Sequence, residues 1–209
     1  MRRTIAIPLS VVVALTALGC YPQNMVFAPE PRPNIVAIDV AIEGDRTPSV
    51  PSTVVKPHVT VLQGFLNSSD LHAFTASLAM VMATTDFGRV TATMTGAAGA
   101  AMMVDPSPEL RRLHERVLET FLPFAVDPDT ARSYIVTPDG SSITESALQA
   151  VGGFVPHASH TSYRPQLVAG TGQSAAASFK PMGAAVYLLD RAGNAQRTLW
   201  TWTGDSGAR

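Results

Sequence analysis

The spacing of apolar positions changes several times along this chain, and each change predicts a new element. Ile35 to Ile42 is apolar and β-branched, interrupted only by Asp39, and reads as a strand. Thr53 to Phe65 predicts a second strand. Leu71, Phe74, Leu78 and Met82 then recur at helical spacing, with Ser68 or Ser69 available as the cap. Val90 to Met94 alternates as a strand does, and a Gly-Ala-rich stretch from Gly96 to Ala101 leads into a short strand ending at Val104. Ser107-Pro108-Glu109 is a helix start, combining a cap, a first-turn proline and an acid near the positive end of the dipole. Leu110, Leu113, Val117, Leu118 and Phe121 form that helix's apolar face. Tyr134 to Val136 predicts a short strand. Ser142-Ile143-Thr144-Glu145 matches a capping box, and the helix it opens is expected to end at Gly152-Gly153. A histidine-bearing loop leads to apolar segments around Gln166 to Ala169, Ala184 to Leu189 and Thr198 to Thr203. Arg191-Ala192-Gly193-Asn194 supplies the turn of a closing hairpin. The whole predicts an α+β domain of two similar halves. It is too interrupted for a doubly wound parallel sheet and has no glycine-rich phosphate loop.

The ends change this picture. Arg2 and Arg3 precede an apolar run, Ile5 to Leu18, that is short for a bilayer span, and small residues follow at Ala17-Leu18-Gly19. Cys20, the only cysteine, comes next. A lone cysteine there resembles a bacterial lipobox, whose thiol is acylated. Residues 1–19 are therefore expected to be a signal peptide and 20–34, rich in proline, a lipid-anchored or free tether. The domain itself is expected over 35–204, with a tail at 205–209. The chain is expected to be exported to the bacterial cell envelope and held to the membrane through Cys20. Simple secretion and an uncleaved anchor are the alternatives. One cysteine permits neither an internal disulfide nor a cysteine metal site. Removing Arg2 and Arg3 takes the formal charge from −1 to about −3. Without a basic stripe for counterion release, long nucleic acid is not an expected partner, whereas a small phosphate ligand needs only a few local cations.

The chemistry-bearing signal is a motif present twice. Lys56-Pro57-His58-Val59-Thr60-Val61 sets a basic residue and a proline before His-x-Thr. Arg164-Pro165-Gln166-Leu167-Val168-Ala169 repeats the frame with Gln for His and Val for Thr. Strand side chains alternate between faces, so His58 and Thr60 point one way together, as do Gln166 and Val168. The first copy offers an imidazole and a hydroxyl to one ligand. The second offers an amide and two methyls.

The order of an apolar strand, a Pro-His-x-Thr strand, a helix, a second motif strand and a closing hairpin resembles the two-histidine (2H) phosphoesterase superfamily, often called 2′-5′ RNA ligase-like. The resemblance spans Ile35 to Trp202 and rests on Lys56 to Val61, Tyr163 to Gly170, and Phe179-Lys180-Pro181 running into Ala184 to Leu188. It implies two pseudo-symmetric lobes of antiparallel sheet with helices outside, around a central cleft. It also implies metal- and cofactor-free chemistry on small 2′-5′ linked or cyclic nucleotide phosphodiesters. One histidine would take a proton and the other give one, while each threonine hydroxyl holds a phosphate oxygen. By carry-over, His58 and Thr60 match catalytic positions. Gln166 cannot exchange a proton near neutral pH and Val168 cannot donate a hydrogen bond. Losing a positioned acid or base costs on the order of a hundred- to ten-thousand-fold in rate. The resemblance therefore implies a weakened or inactive phosphodiesterase, or a domain that binds such a ligand without turnover. The alternative is a non-catalytic envelope lipoprotein that binds another ligand or partner.

Lys56 and Arg164 precede each proline and could supply charge to a phosphate, or simply be solvated. His157 and His160 could lean into the cleft in place of the missing imidazole, or be exposed loop residues. Their spacing suits a metal pair, but no neighbouring carboxylate or cysteine completes a site. Helix packing or solvent contact accounts for His72 and His114. Trp200 and Trp202 read as core or edge packing. Gly204-Asp205-Ser206-Gly207 resembles a serine-protease nucleophile loop, but the chain has no room for that fold.

Overall fold

The computed structural model describes residues 34–44, 55–98, 101–157, 160–168, 178–179 and 181–203. The expected signal peptide, Cys20, the tether as far as Pro33, and the tail with its Gly-Asp-Ser-Gly sequence lie outside them. Among the described residues no helix is long and apolar enough to cross a membrane.

Twelve elements are named here in chain order: β1 (Ile35–Gly44), β2 (His58–Asn67), α1 (Leu71–Ala83), β3 (Ala92–Ala98), β4 (Ala101–Pro106), α2 (Pro108–Phe121), α3 (Pro128–Tyr134), α4 (Glu145–His157), β5 (Gln166–Val168), β6 (Ser178–Phe179), β7 (Pro181–Leu189) and β8 (Ala195–Thr203). The expected α+β class is what is found. The eight strands form one sheet in the order β6-β3-β4-β5-β2-β1-β7-β8, and neighbouring strands run antiparallel. Its two four-stranded halves meet where β2 pairs β5. They are not consecutive stretches of sequence. β3 and β4, which follow the first motif strand, join the second motif strand, while the last two strands return to β1.

One face of the sheet is covered by α1 and α2. Ile38, Val40 and Ile42 of β1 and Val59, Val61, Leu62 and Leu66 of β2 pack there against Phe74, Leu78 and Met82 of α1. The Leu110, Leu113, Val117, Leu118 and Phe121 face of α2 completes this core. Each such side chain contributes about 1.5–3 kcal/mol on burial. The cap of α2 is as expected, with Ser107 Oγ accepting from the Leu110 amide at 3.2 Å. Gly64 lets Phe121 lie flat on β2, since a Cβ there would stand 2.5 Å from the ring. On the opposite face a second apolar cluster lies at one end, where Ile35, Ala37, Phe65 and Leu189 meet Ala131 of α3 and Leu148 and Val151 of α4.

A bulge governs which β2 residues face which layer. The pairing runs Glu43↔His58 and Ala41↔Thr60, then shifts to Val40↔Leu62 and Asp39↔Gln63. Val61 is the extra residue. Strict alternation would put Leu62 on the polar face; the bulge keeps Val59, Val61 and Leu62 all in the α1–α2 core.

Several local expectations change. Ser68 to Asp70 forms a single 3-10 turn, and α1 starts at Leu71 without a side-chain cap. Tyr134 ends α3, and only Ile135 makes a bridge, to Ile35. Of the Gly-Ala stretch, Gly96 to Ala98 belong to β3 and Ala101 to β4, which pair with each other. Helix α4 is capped at Thr144, whose hydroxyl accepts from the Ala147 amide at 3.3 Å, and it runs through both glycines to His157. The glycines do not stop it because Gly152 is a contact point: a Cβ there would lie 2.5 Å from Pro128 of α3. The closing hairpin forms as expected, with Gly193 at φ 83° in its turn. Trp200 and Trp202 are half-buried against the α1–α2 core, Trp202 stacking on Phe87 at 4.9 Å.

Candidate functional site

On the face away from α1 and α2, β1 carries Asp39 and Glu43, four residues apart and therefore in phase. β2 brings His58 and Thr60 beside them, and β7 brings Tyr187 opposite Asp39. All five are buried: His58 is 1% exposed, Asp39 2%, Glu43 5%, Thr60 9% and Tyr187 1%. Ala41 and Ala185, packed with Tyr187, are the small residues among them.

Two carboxylates organise the cluster. Glu43 Oε1 accepts the Tyr187 hydroxyl at 2.6 Å, and Oε2 accepts the Lys56 ammonium. Lys56, a candidate phosphate ligand in the sequence, is thus engaged by Glu43. Asp39 Oδ2 accepts from Thr60 Oγ1 at 3.0 Å and from Gln63 Nε2 at 3.5 Å, and lies 3.6 Å from His58 Nε2. The last is an ion-pair separation, longer than a hydrogen bond. Asp39 Oδ1 is buried with no hydrogen-bond partner among the described residues.

His58 Nδ1 stands 2.7 Å from the Lys56 carbonyl. A carbonyl only accepts, so Nδ1 carries hydrogen. Burial pushes the imidazole's pKa down. The hydrogen-bonding and charge of Asp39, the Lys56 carbonyl and the charge of Glu43 outweigh that, leaving it above its ordinary 6.5. The Tyr187 ring lies 5.2 Å from the imidazole. Burial and the Glu43 carboxylate raise its phenol pKa, so it remains a neutral donor.

The second motif strand lies directly against the first, with His58↔Val168 and Val59↔Leu167 paired. Val168 is half-buried; Gln166, one step beyond the pairing on the same face, is exposed. Past the end of this pairing, side chains take the carbonyls of β2. Tyr163 donates its hydroxyl to Thr60 O at 2.9 Å, and His114 Nδ1 is 2.7 Å from Val61 O. The His114 and Tyr163 rings stack at 4.0 Å. His114 Nε2 accepts the backbone N–H of His160 at 3.3 Å, which fixes a neutral ring. Burial accordingly lowers the pKa of His114, the Val61 carbonyl opposing that in part.

The structure therefore gathers His58, Thr60, Lys56 and Val168. The side chains of His157 and His160 are exposed, and among the described residues neither makes a hydrogen bond or ion pair with His58 or Thr60. Arg164 is exposed and donates to the carbonyls of Thr161 and Tyr163 in its own loop. His72 is exposed on α1, whereas His114 is a core tie. Among the described residues no group of three His, Cys, Asp or Glu could hold a metal ion.

Sequence reasoning missed Asp39, Glu43, Tyr187 and His114 as partners of the motif strands. A signal for the first two was present, because acids at i and i+4 of an apolar strand share one face.

Comparisons with known proteins returned no matching family model and no matching curated relative. Two solved structures are similar. One is a crystal structure of a phosphoesterase, 13% identical, with 83% of this chain and 98% of that chain covered at a TM-score of 0.38. The other is E. coli LigT in apo form, 12% identical, with 81% and 98% covered at a TM-score of 0.37.

Proposed function

We propose that this domain is a 2H phosphoesterase-like protein with one competent motif and one that has lost its chemistry. It binds small 2′-5′ linked or cyclic nucleotide phosphodiesters and turns them over weakly or not at all. The observation that carries this reading is the β2–β5 pairing, which sets the Gln-Leu-Val strand beside the His-x-Thr strand with Val168 opposite His58. In-line phosphodiester chemistry needs one group to take a proton and another to give one. His58 is one such group, with the Thr60 hydroxyl beside it but donated to Asp39, and the neighbouring strand offers an amide and a valine instead of a second. Engagement of Lys56 by Glu43 also favours binding over turnover, because it removes a cation from the transition state.

The test uses the secreted-length protein with 2′,3′-cyclic mononucleotides and 2′-5′ linked dinucleotides. Calorimetry follows binding and chromatography follows products. The expected result is saturable binding, weakened by His58→Ala, with little or no product. Restoring the second motif with Gln166→His and Val168→Thr should raise turnover at least about a hundredfold. A folded wild type that binds none of these compounds, or a folded double variant with no gain, would overturn the reading. Export and acylation at Cys20 belong to the same proposal and rest on the sequence at residues 1–20. Radiolabelled palmitate incorporation that is lost in Cys20→Ser is the expected outcome; an unlabelled, freely released wild type would overturn it.

A further inference from the structure

The polar cluster contains a mismatch that the His-x-Thr reading does not use. Glu43 is fully engaged, one oxygen by the Tyr187 hydroxyl and the other by the Lys56 ammonium. Asp39, equally buried, has two neutral donors and His58 on Oδ2 and, among the described residues, nothing on Oδ1. A buried carboxylate without a cation is costly, and the groups facing His58 leave one source of compensation. β1 contributes Asp39 and Glu43; β7 contributes neutral Tyr187; β5 contributes apolar Val168; Lys56, just ahead of β2, is held by Glu43. Among the described residues the His58 ring is the group placed to supply the compensating charge. Its Nδ1 hydrogen is already fixed on the Lys56 carbonyl, so the further proton sits on Nε2, which faces Asp39 Oδ2 at 3.6 Å.

We propose that Asp39 is the positioning residue of His58, its carboxylate facing Nε2 at ion-pair separation so that the imidazole stands protonated on both nitrogens, as a donor and not as a base. This rests on the functional reading above and deepens it. A ring protonated on both nitrogens has no lone pair with which to take a proton. It can, however, present Nε2–H to an anionic phosphate oxygen, because at 3.6 Å that hydrogen is not tightly bonded to Asp39. The domain would therefore recognise a phosphodiester through its one motif histidine while lacking both the base and the second imidazole. The adjoining Thr60 hydroxyl, spent on the same Asp39 oxygen, is tuned by the same residue.

The experiment is a ligand-free NMR titration of the folded protein, following the His58 ring. In the wild type its midpoint should lie above 6.5, the ordinary histidine value. In Asp39→Asn the His58 midpoint should fall by about one pH unit or more, a roughly tenfold loss of proton affinity. An unchanged midpoint in the folded variant would overturn the proposal. If Asp39→Asn does not fold, the wild type decides: a His58 midpoint at or below 6.5 would overturn it. A protein that binds no phosphodiester yet shows the raised midpoint keeps this proposal and discards the functional one. Normal binding with a midpoint at or below 6.5 does the reverse.

Discussion

Replacing Tyr187 by Phe removes one oxygen and leaves the ring where it packs, against Ala41, Ala185 and the His58 imidazole at 5.2 Å. The loss falls on Glu43, whose Oε1 accepts that hydroxyl at 2.6 Å and whose side chain is only 6% exposed. Water has little access to take the hydroxyl's place, so the carboxylate oxygen stays unsatisfied. A hydrogen bond to a charged group is worth about 1.5–3 kcal/mol, and an orphaned buried acceptor sits at the upper end of that range. A cost of about 2 kcal/mol would lower Tm by roughly 4–8 °C in a domain of this size. Glu43→Leu should be costly for the complementary reason, because it strands the Tyr187 hydroxyl. Lys56, at 16% exposure, can turn towards solvent and loses less. With both residues replaced Lys56 alone has lost a partner and can turn to solvent, so the double variant should be more stable than the sum of the singles by about 1–3 kcal/mol. Urea unfolding followed by the fluorescence of Trp200 and Trp202, on the strand next to β7, measures all four proteins of the cycle. Costs that add within about 0.5 kcal/mol would refute the idea that Glu43 and Tyr187 form one buried unit.

Two further outcomes follow from groups outside that pair. His114 is held neutral, so below its unfolded value of 6.5 the unfolded chain binds a proton that the folded ring refuses, and stability falls as pH drops. His58 has the opposite sign: its raised pKa adds stability that is complete below 6.5 and is lost as pH rises through the folded value. His114→Gln should therefore flatten the acid limb of stability between pH 7 and 5 in urea titrations, and an unaltered limb would remove His114 from it. Gly64→Ala places a Cβ 2.5 Å from the Phe121 ring and should cost about 1–3 kcal/mol, with Phe121→Leu in the same chain recovering part of the loss. Equal stability of Gly64→Ala and wild type would show that α2 shifts freely on the sheet.

Where an element's identity depends on residues next to one another, it was legible. The Ser107 cap, the apolar stripe of α2, the β-branched run of β1 and the Gly193 turn each carry their information within one or two turns of chain. The misreadings share a cause. Gly152-Gly153 looked like a stop signal, but its meaning was set by Pro128 on another helix. Asp39 looked like an interruption in a strand, and became a partner only when a bulge at Val61 set Thr60 and Gln63 beside it.

The candidate site divides in the same way. The sequence by itself determined that His58 and Thr60 share a face and that the repeated frame carries Gln166 and Val168 at the matching places, because strand alternation and side-chain chemistry are local. Tertiary structure alone decided that the two motif strands pair directly and that the sheet halves interleave along the chain. It alone decided that Lys56 spends its charge on Glu43 and that Asp39 faces His58 with one oxygen unsatisfied among the described residues. The physical reason is that a buried charge has no fixed character of its own: its protonation and its role are set by what surrounds it, and those neighbours come from strands more than a hundred residues apart, such as Glu43 and Tyr187.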